Sequence, residues 1–278
     1  MKAPLPLRLS LFGLAFALVC LSGLAGRADP ARLGHLLRLE ALFGIMQQEA
    51  VTYGSDLHED LLGQPADDGW RSTVAAIHDP AQLLPQFDRR FRPGLAGADQ
   101  GAIEAWLASD SGRRIVAREI EVRRMLLDPA TEDRAMEAAE AADRRGDPKL
   151  AAVRRVIAAA DLVEANVIGG MNANLALYRA MVAGGAFPDP VGDADMLADV
   201  AAQEEDIRGE VTGWLEGYLF EAYGPLSLGD IDRLAEFSGS VPGRQLLRAE
   251  FDAFNAVFEE TSAALGRALA ERMTAKEL

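Results

Sequence analysis

Four Asp-Pro pairs cut this chain into segments that favour helix over any other fold. They are Asp29-Pro30, Asp79-Pro80, Asp128-Pro129 and Asp147-Pro148. Each offers a carboxylate at an N-cap, where it accepts from orphan backbone N–H groups. The proline that follows sits at the first helical position, where its missing N–H costs nothing. Between the pairs, Ala, Leu, Glu, Arg, Met and Gln dominate, and aromatic residues make up only 6% of the chain. Such a composition favours helix and is poor in the β-branched and aromatic residues that sheets need. The expected class is all-α, a helical bundle. A fifth pair, Asp189-Pro190, follows Gly184-Gly185-Ala186-Phe187-Pro188 and reads as loop.

Apolar spacing fills in the segments. Leu33, Leu36, Leu37, Phe43, Met46, Ala50 and Leu57 recur at three- and four-residue steps, which is one face of an opening helix. Shorter helices are expected near 68–78, 80–92, 98–108 and 112–127. The charged, Ala-rich stretch Thr131 to Arg145 has no wide apolar stripe and reads as a solvated connecting helix. A long apolar helix is expected from about 148 to 183, with helix continuing to near Thr274.

Internal similarity organises these helices into two divergent copies of one multi-helix unit. Leu95 to Glu119 aligns without gaps on Leu226 to Glu250, with identities at Leu95/Leu226, Asp99/Asp230, Ser109/Ser240, Gly112/Gly243, Arg113/Arg244 and Glu119/Glu250. The same offset sets Leu83, Leu84 and Phe87 opposite Trp214, Leu215 and Tyr218. More weakly, it sets Leu36, Leu37, Met46 and Ala50 opposite Val167, Ile168, Leu177 and Met181. The expected division is a signal peptide over 1–28, a first copy over 29–128, a connecting helix over 129–147 and a second copy over 148–278.

Each copy carries a helix, an aromatic, a few small or polar residues, Gly-Arg, and a second helix. Trp106-Leu107-Ala108-Ser109-Asp110-Ser111-Gly112-Arg113 is matched by Phe237-Ser238-Gly239-Ser240-Val241-Pro242-Gly243-Arg244. The aromatic seals a helical hairpin and the glycine allows close backbone approach. Over residues 83–120 and 214–270 this pattern resembles the bacterial exported family called domain of unknown function 2059. The resemblance implies an all-helical, usually periplasmic protein and supplies no catalytic residues. Arg113 and Glu119 lie about 240° apart around one helix, so they cannot face each other. A pseudo-twofold arrangement could pair Arg113 with Glu250 and Arg244 with Glu119. Trp106, Gly112, Arg113, Glu119, Phe237, Gly243, Arg244 and Glu250 are expected to serve structure.

The first residues read as an address. Lys2 and Arg8 precede a nearly unbroken apolar run from Leu9 to Leu24, and Gly26 and Ala28 suit cleavage after Ala28, with Ala25 the second choice. An uncleaved anchor and a lipid-modified Cys20 are the other readings, although bulky Val19 precedes that cysteine. Residues 1–28 hold three basic side chains, Lys2, Arg8 and Arg27, and no acid. Their removal makes a chain of net charge −15 more acidic still. Such a surface repels phosphate backbones and anionic headgroups, so neither nucleic acid nor, after signal removal, membrane is an expected partner. The chain's one cysteine, Cys20, would leave with the leader, and the periplasmic product would depend on its core for stability.

Chemistry is hard to find. Of three histidines, His58-Glu59 begins like a metalloprotease helix, but Leu62 stands where the second ligand is needed. No serine elbow, P-loop or dinucleotide fingerprint is present. Catalytic, cofactor-binding and metal-ligating residues are therefore assigned to none, and no cofactor is expected. One segment stands out. Glu164, Asn166, Asn172 and Asn174 place polar groups in an otherwise apolar helix containing Gly169-Gly170. They either bond neighbouring helix ends where helices cross closely, or line a small pocket. The expected function is a non-enzymatic binding or interaction module of the cell envelope, recognising a protein or small-molecule partner. The alternative is a carrier of a small apolar or amphipathic ligand held between the two halves.

Overall fold

The computed structural model describes residues 30–276. The expected leader, its cleavage after Ala28 or Ala25, and Cys20 lie outside them. Among the described residues every regular element is a helix: α1 (Pro30–Leu36), α2 (Leu39–Leu62), α3 (Asp68–Ile77), α4 (Pro80–Gly94), α5 (Gln100–Leu107), α6 (Asp110–Met125) and α7 (Pro129–Arg144). There follow α8 (Pro148–Ala159), α9 (Leu162–Ala183), α10 (Asp193–Ala201), α11 (Glu204–Ala222), α12 (Leu228–Ser238) and α13 (Val241–Lys276). The chain is all-α. No helix among the described residues is long and apolar enough to cross a membrane.

The punctuation works as its chemistry requires. The Asp79 carboxylate accepts from the Ala81 N–H at 2.9 Å, and that of Asp147 from the Lys149 N–H at 2.8 Å. Asp128 also precedes a first-position proline, but its carboxylate makes no cap bond to the backbone and accepts from the Thr131 hydroxyl instead. Asp189-Pro190 falls in the loop between α9 and α10.

Two expectations need correcting. The helix read from 148 to 183 is two helices, because Asp161 adopts a left-handed backbone at φ 53° and ends the run. Asp is among the few residues that tolerate this region. Arg38 takes the same φ, 53°, and separates α1 from α2. These breaks spoil the weak register of the opening helices: Leu36 closes α1, whereas its supposed counterpart Val167 lies inside α9. The connecting helix α7 is not simply solvated either. Ala135, Ala139 and Ala142 form a narrow buried stripe, and α7 packs on α11, where a Cβ on Gly217 would meet the Met136 backbone at 3.0 Å. Alanine is small enough to bury by close approach, so no wide apolar stripe was needed.

The two motif hairpins are α5–α6 and α12–α13. In each, a serine caps the second helix: the Ser109 hydroxyl accepts from Gly112 N–H at 3.0 Å and the Ser240 hydroxyl from Gly243 N–H at 3.2 Å. A Cβ on Gly112 would collide with the Trp106 carbonyl, and one on Gly243 with the Phe237 carbonyl. Trp106 and Phe237 are themselves buried and stacked at 6.1 Å. The second helix of each hairpin packs away from its own turn, α13 across α4 and α6 against α11. One apolar core accordingly runs continuously from Leu33 to Val257. A second, smaller core gathers Tyr53, Leu57, Trp70, Val74, Leu177, Met181, Leu265 and Leu269 from α2, α3, α9 and α13.

The helix pair α9 and α13 positions the candidate site. Asn255 approaches Gly169, Gly266 abuts the Leu177 carbonyl, and Gly184 abuts Ala270. Residue numbers rise together along both partners, so the helices run parallel, brought together at glycines.

Candidate functional site

The four polar residues singled out in α9 are split by the structure. Glu164 is a surface residue whose carboxylate accepts from Arg208 at 2.8 Å. Asn172 is exposed. Neither lines the cavity that Asn166 and Asn174 share, because the break at Asp161 sets the phase of α9 so that both face outward. Asn166 and Asn174 are 4% and 2% exposed and share one lining.

That lining surrounds a cavity of about 50 Å³ between α2, α9 and α13. Met46 and Tyr53 of α2 and His78, at the end of α3, form one side. Asn166, Gly169, Gly170, Ala173, Asn174 and Leu177 of α9 form another, and Phe258, Thr261, Ser262 and Leu265 of α13 complete the wall. Met46 belongs to the main core and Leu177 and Leu265 to the smaller one, so the cavity lies where the two cores meet.

Most of its polar groups are already engaged. The Asn166 amide donates to the Leu162 carbonyl at 2.7 Å. The Thr261 hydroxyl donates to the Phe258 carbonyl at 3.2 Å. His78 Nδ1 donates to the Val74 carbonyl at 2.9 Å. Burial lowers the His78 pKa, countered only in part by that bond, so the ring stays neutral with Nε2 as an acceptor. Burial also pushes the Tyr53 phenol well up, keeping it protonated. The fully buried exception is Asn174, whose Nδ2 has no hydrogen-bond partner. An orphaned buried donor costs about 1–3 kcal/mol.

The site is thus neutral and largely apolar, with one fully buried donor unused. No acid, lysine or arginine is among its lining residues, and among the described residues no group of three His, Cys, Asp or Glu side chains is placed to hold a metal ion. Tyr53, His78, Thr261 and Ser262 were missed as wall residues in the sequence, because nothing in their local spacing announces that α2, α3 and α13 converge on α9.

The repeated charges do not form the cross-pairs that a pseudo-twofold allowed. Arg113 donates to the Ala108 carbonyl and pairs with Asp110, and Arg244 donates to the Gly239 carbonyl. Both reach back over their own hairpin turns at the surface. The glutamates lie deeper along the same helices and point into the core. Glu119 accepts from the Tyr223 hydroxyl at 2.6 Å, while the Tyr218 hydroxyl donates to its backbone carbonyl at 3.0 Å. Glu250 is 1% exposed and neither carboxylate oxygen has a hydrogen-bond partner. Burial first, then the nearby Glu119 charge, raises its pKa well above the usual carboxylate range. Close by, buried Arg123 donates to both oxygens of Glu49, at 2.9 and 2.8 Å, and lies 5.9 Å over the Trp214 ring.

No family model matches the chain, and no curated protein or solved structure matches it either.

Proposed function

We propose that this chain is an exported, non-enzymatic binding protein of the cell envelope that carries a small ligand between its two helical halves. The observation that carries this reading is the cavity between α2, α9 and α13, with its buried donor, Asn174 Nδ2, unused. A mostly apolar lining with few, fixed polar groups is that of a small-molecule site, and the volume of about 50 Å³ fits only a very small ligand or one end of a larger one. Its walls come from both halves, His78, Met46 and Tyr53 from the first and α9 and α13 from the second. Export rests on the charged start, the apolar run and the small residues at Gly26 and Ala28. The two halves are read as divergent copies of one unit. Supporting this are the matched serine caps and the matched glycine contacts. The likeness to the exported family of unknown function belongs with this proposal and points the same way.

The test is ligand-dependent melting. A ligand that prefers the native state raises the unfolding midpoint in proportion to its concentration over Kd. Fractions of a small-molecule extract from the source cells should include one that raises the midpoint of the protein but not of Ala173→Leu, which fills the cavity. If every active fraction shifts both proteins equally, the cavity is not the ligand site.

A further inference from the structure

We infer that the cavity takes an uncharged ligand, or the uncharged end of a longer one, whose hydrogen-bond acceptor meets Asn174 Nδ2. This rests on the reading of the cavity as a ligand site and adds the chemical class that fits it. Three observations select that class. First, the lining residues include no acid, lysine or arginine, and His78 is held neutral. An ion entering this hollow would leave its hydration behind and meet no counter-charge, which strongly disfavours it. Second, the lining atom that is fully buried and without a partner is a donor, on a residue 2% exposed. It is satisfied by a carbonyl or hydroxyl oxygen and not by another donor. Third, the volume of about 50 Å³ lies between the roughly 10–15 Å³ that admits one water and the roughly 150 Å³ that admits benzene. A group of about four non-hydrogen atoms suits that space, set against Leu177, Leu265, Phe258 and Met46.

Three probes of nearly one shape separate these requirements: acetamide is neutral and carries an acceptor, acetate is an anion, and acetamidinium is a cation with donors only. Each is titrated into ¹⁵N-labelled protein while the amide signals of Gly169, Gly170, Ala173 and the Asn174 side chain are followed. Xenon under pressure serves as a purely apolar probe of the same cavity. Acetamide should give saturable shifts confined to these residues, with affinity at least tenfold above that of acetate or acetamidinium. Asn174→Leu should lower acetamide affinity tenfold or more while xenon binding persists. Ser262→Leu, which keeps the amide but narrows the hollow, should weaken both probes. The unperturbed remainder of each spectrum reports that the variants are folded. If xenon binds and acetamide does not, or if a charged probe binds as well as acetamide, the ligand class is wrong and the cavity stands. If neither xenon nor acetamide shifts these signals, the reading of the cavity as a ligand site fails with it.

Discussion

Glu250 and Asn174 are almost equally buried, and each has a polar end without a hydrogen-bond partner, yet they occupy opposite kinds of place. Glu250 sits on α13 among Leu246, Leu247, Ala249 and Phe251 of the continuous core, with Glu119 as its charged neighbour. Asn174 faces a hollow. A bare polar group in close packing has one way to lower its cost, which is to change its protonation state. A bare polar group beside open volume has another, which is to accept a partner from outside. The first is a property of folding and the second is an opportunity for binding. Exposure alone does not distinguish them.

A contrast to both comes from Arg123, a buried charge that has a charge partner in Glu49 although its Nη1 makes no hydrogen bond. Removing one partner of such a pair leaves the other stranded, at a cost of about 3–5 kcal/mol when both are fully buried. Glu49 keeps 20% of its side chain exposed, and water there softens the loss. Arg123→Leu is therefore expected to lower stability by about 3 kcal/mol, and Glu49→Leu added to it should recover most of that. Denaturant melts of the two variants measure both numbers. Recovery below a quarter of the loss would show that Arg123 acts through packing on Trp214 instead of through its charge partner.

Glu250 should produce a smaller effect with a particular dependence on pH. Its folded-state pKa is raised, so the native chain holds a proton that the unfolded chain releases near the ordinary carboxylate value of about 4.3. Stability from this group is full below that value and is lost as pH rises toward the folded pKa, by up to about 1.4 kcal/mol per pH unit inside the window. Glu250→Met removes this component. The variant should be more stable than the parent at pH 8 by about 1–3 kcal/mol, and the difference should shrink on acidification to pH 4. Melts at several pH values check the sign. A constant difference across that range would mean that Glu250 does not titrate as its burial requires.

How much of this was legible beforehand differs between the same two regions. The all-α class followed from helix propensity and from the first-position prolines at 80, 129 and 148, with cap bonds at Asp79 and Asp147, because these are local chemistry. The burial of Trp106 and Phe237 was legible too, since each is a large aromatic closing a helical hairpin. Orientation was not. Whether Glu164 and Asn172 face in or out depends on the phase of α9, and that phase is set at Asp161 by a left-handed residue that interrupts an apolar run without any Gly or Pro to mark it. The far wall was hidden for a different reason. Thr261, Ser262 and Tyr53 become neighbours of Asn174 only through the parallel packing of α13 on α9 and the arrival of α2, which are long-range contacts with no signature in local spacing.

The smallest expected effect tests the comparison most directly, because it contrasts two asparagines on one helix. Asn166 and Asn174 line the same cavity, but the Asn166 amide donates to the Leu162 carbonyl at 2.7 Å and the Asn174 Nδ2 donates to nothing. Replacing Asn166 by Leu removes a satisfied bond and should cost about 1 kcal/mol. Replacing Asn174 by Leu removes an orphan donor and adds apolar surface to an apolar wall, so stability should stay level or rise by up to about 1 kcal/mol. Groups kept for binding are often costly to the fold in this way. Thermal and urea melts of the two single variants, made without ligand, measure the difference. Equal losses at both positions would mean that Asn174 is held by the protein after all, and its donor would then be no place for a ligand to bind.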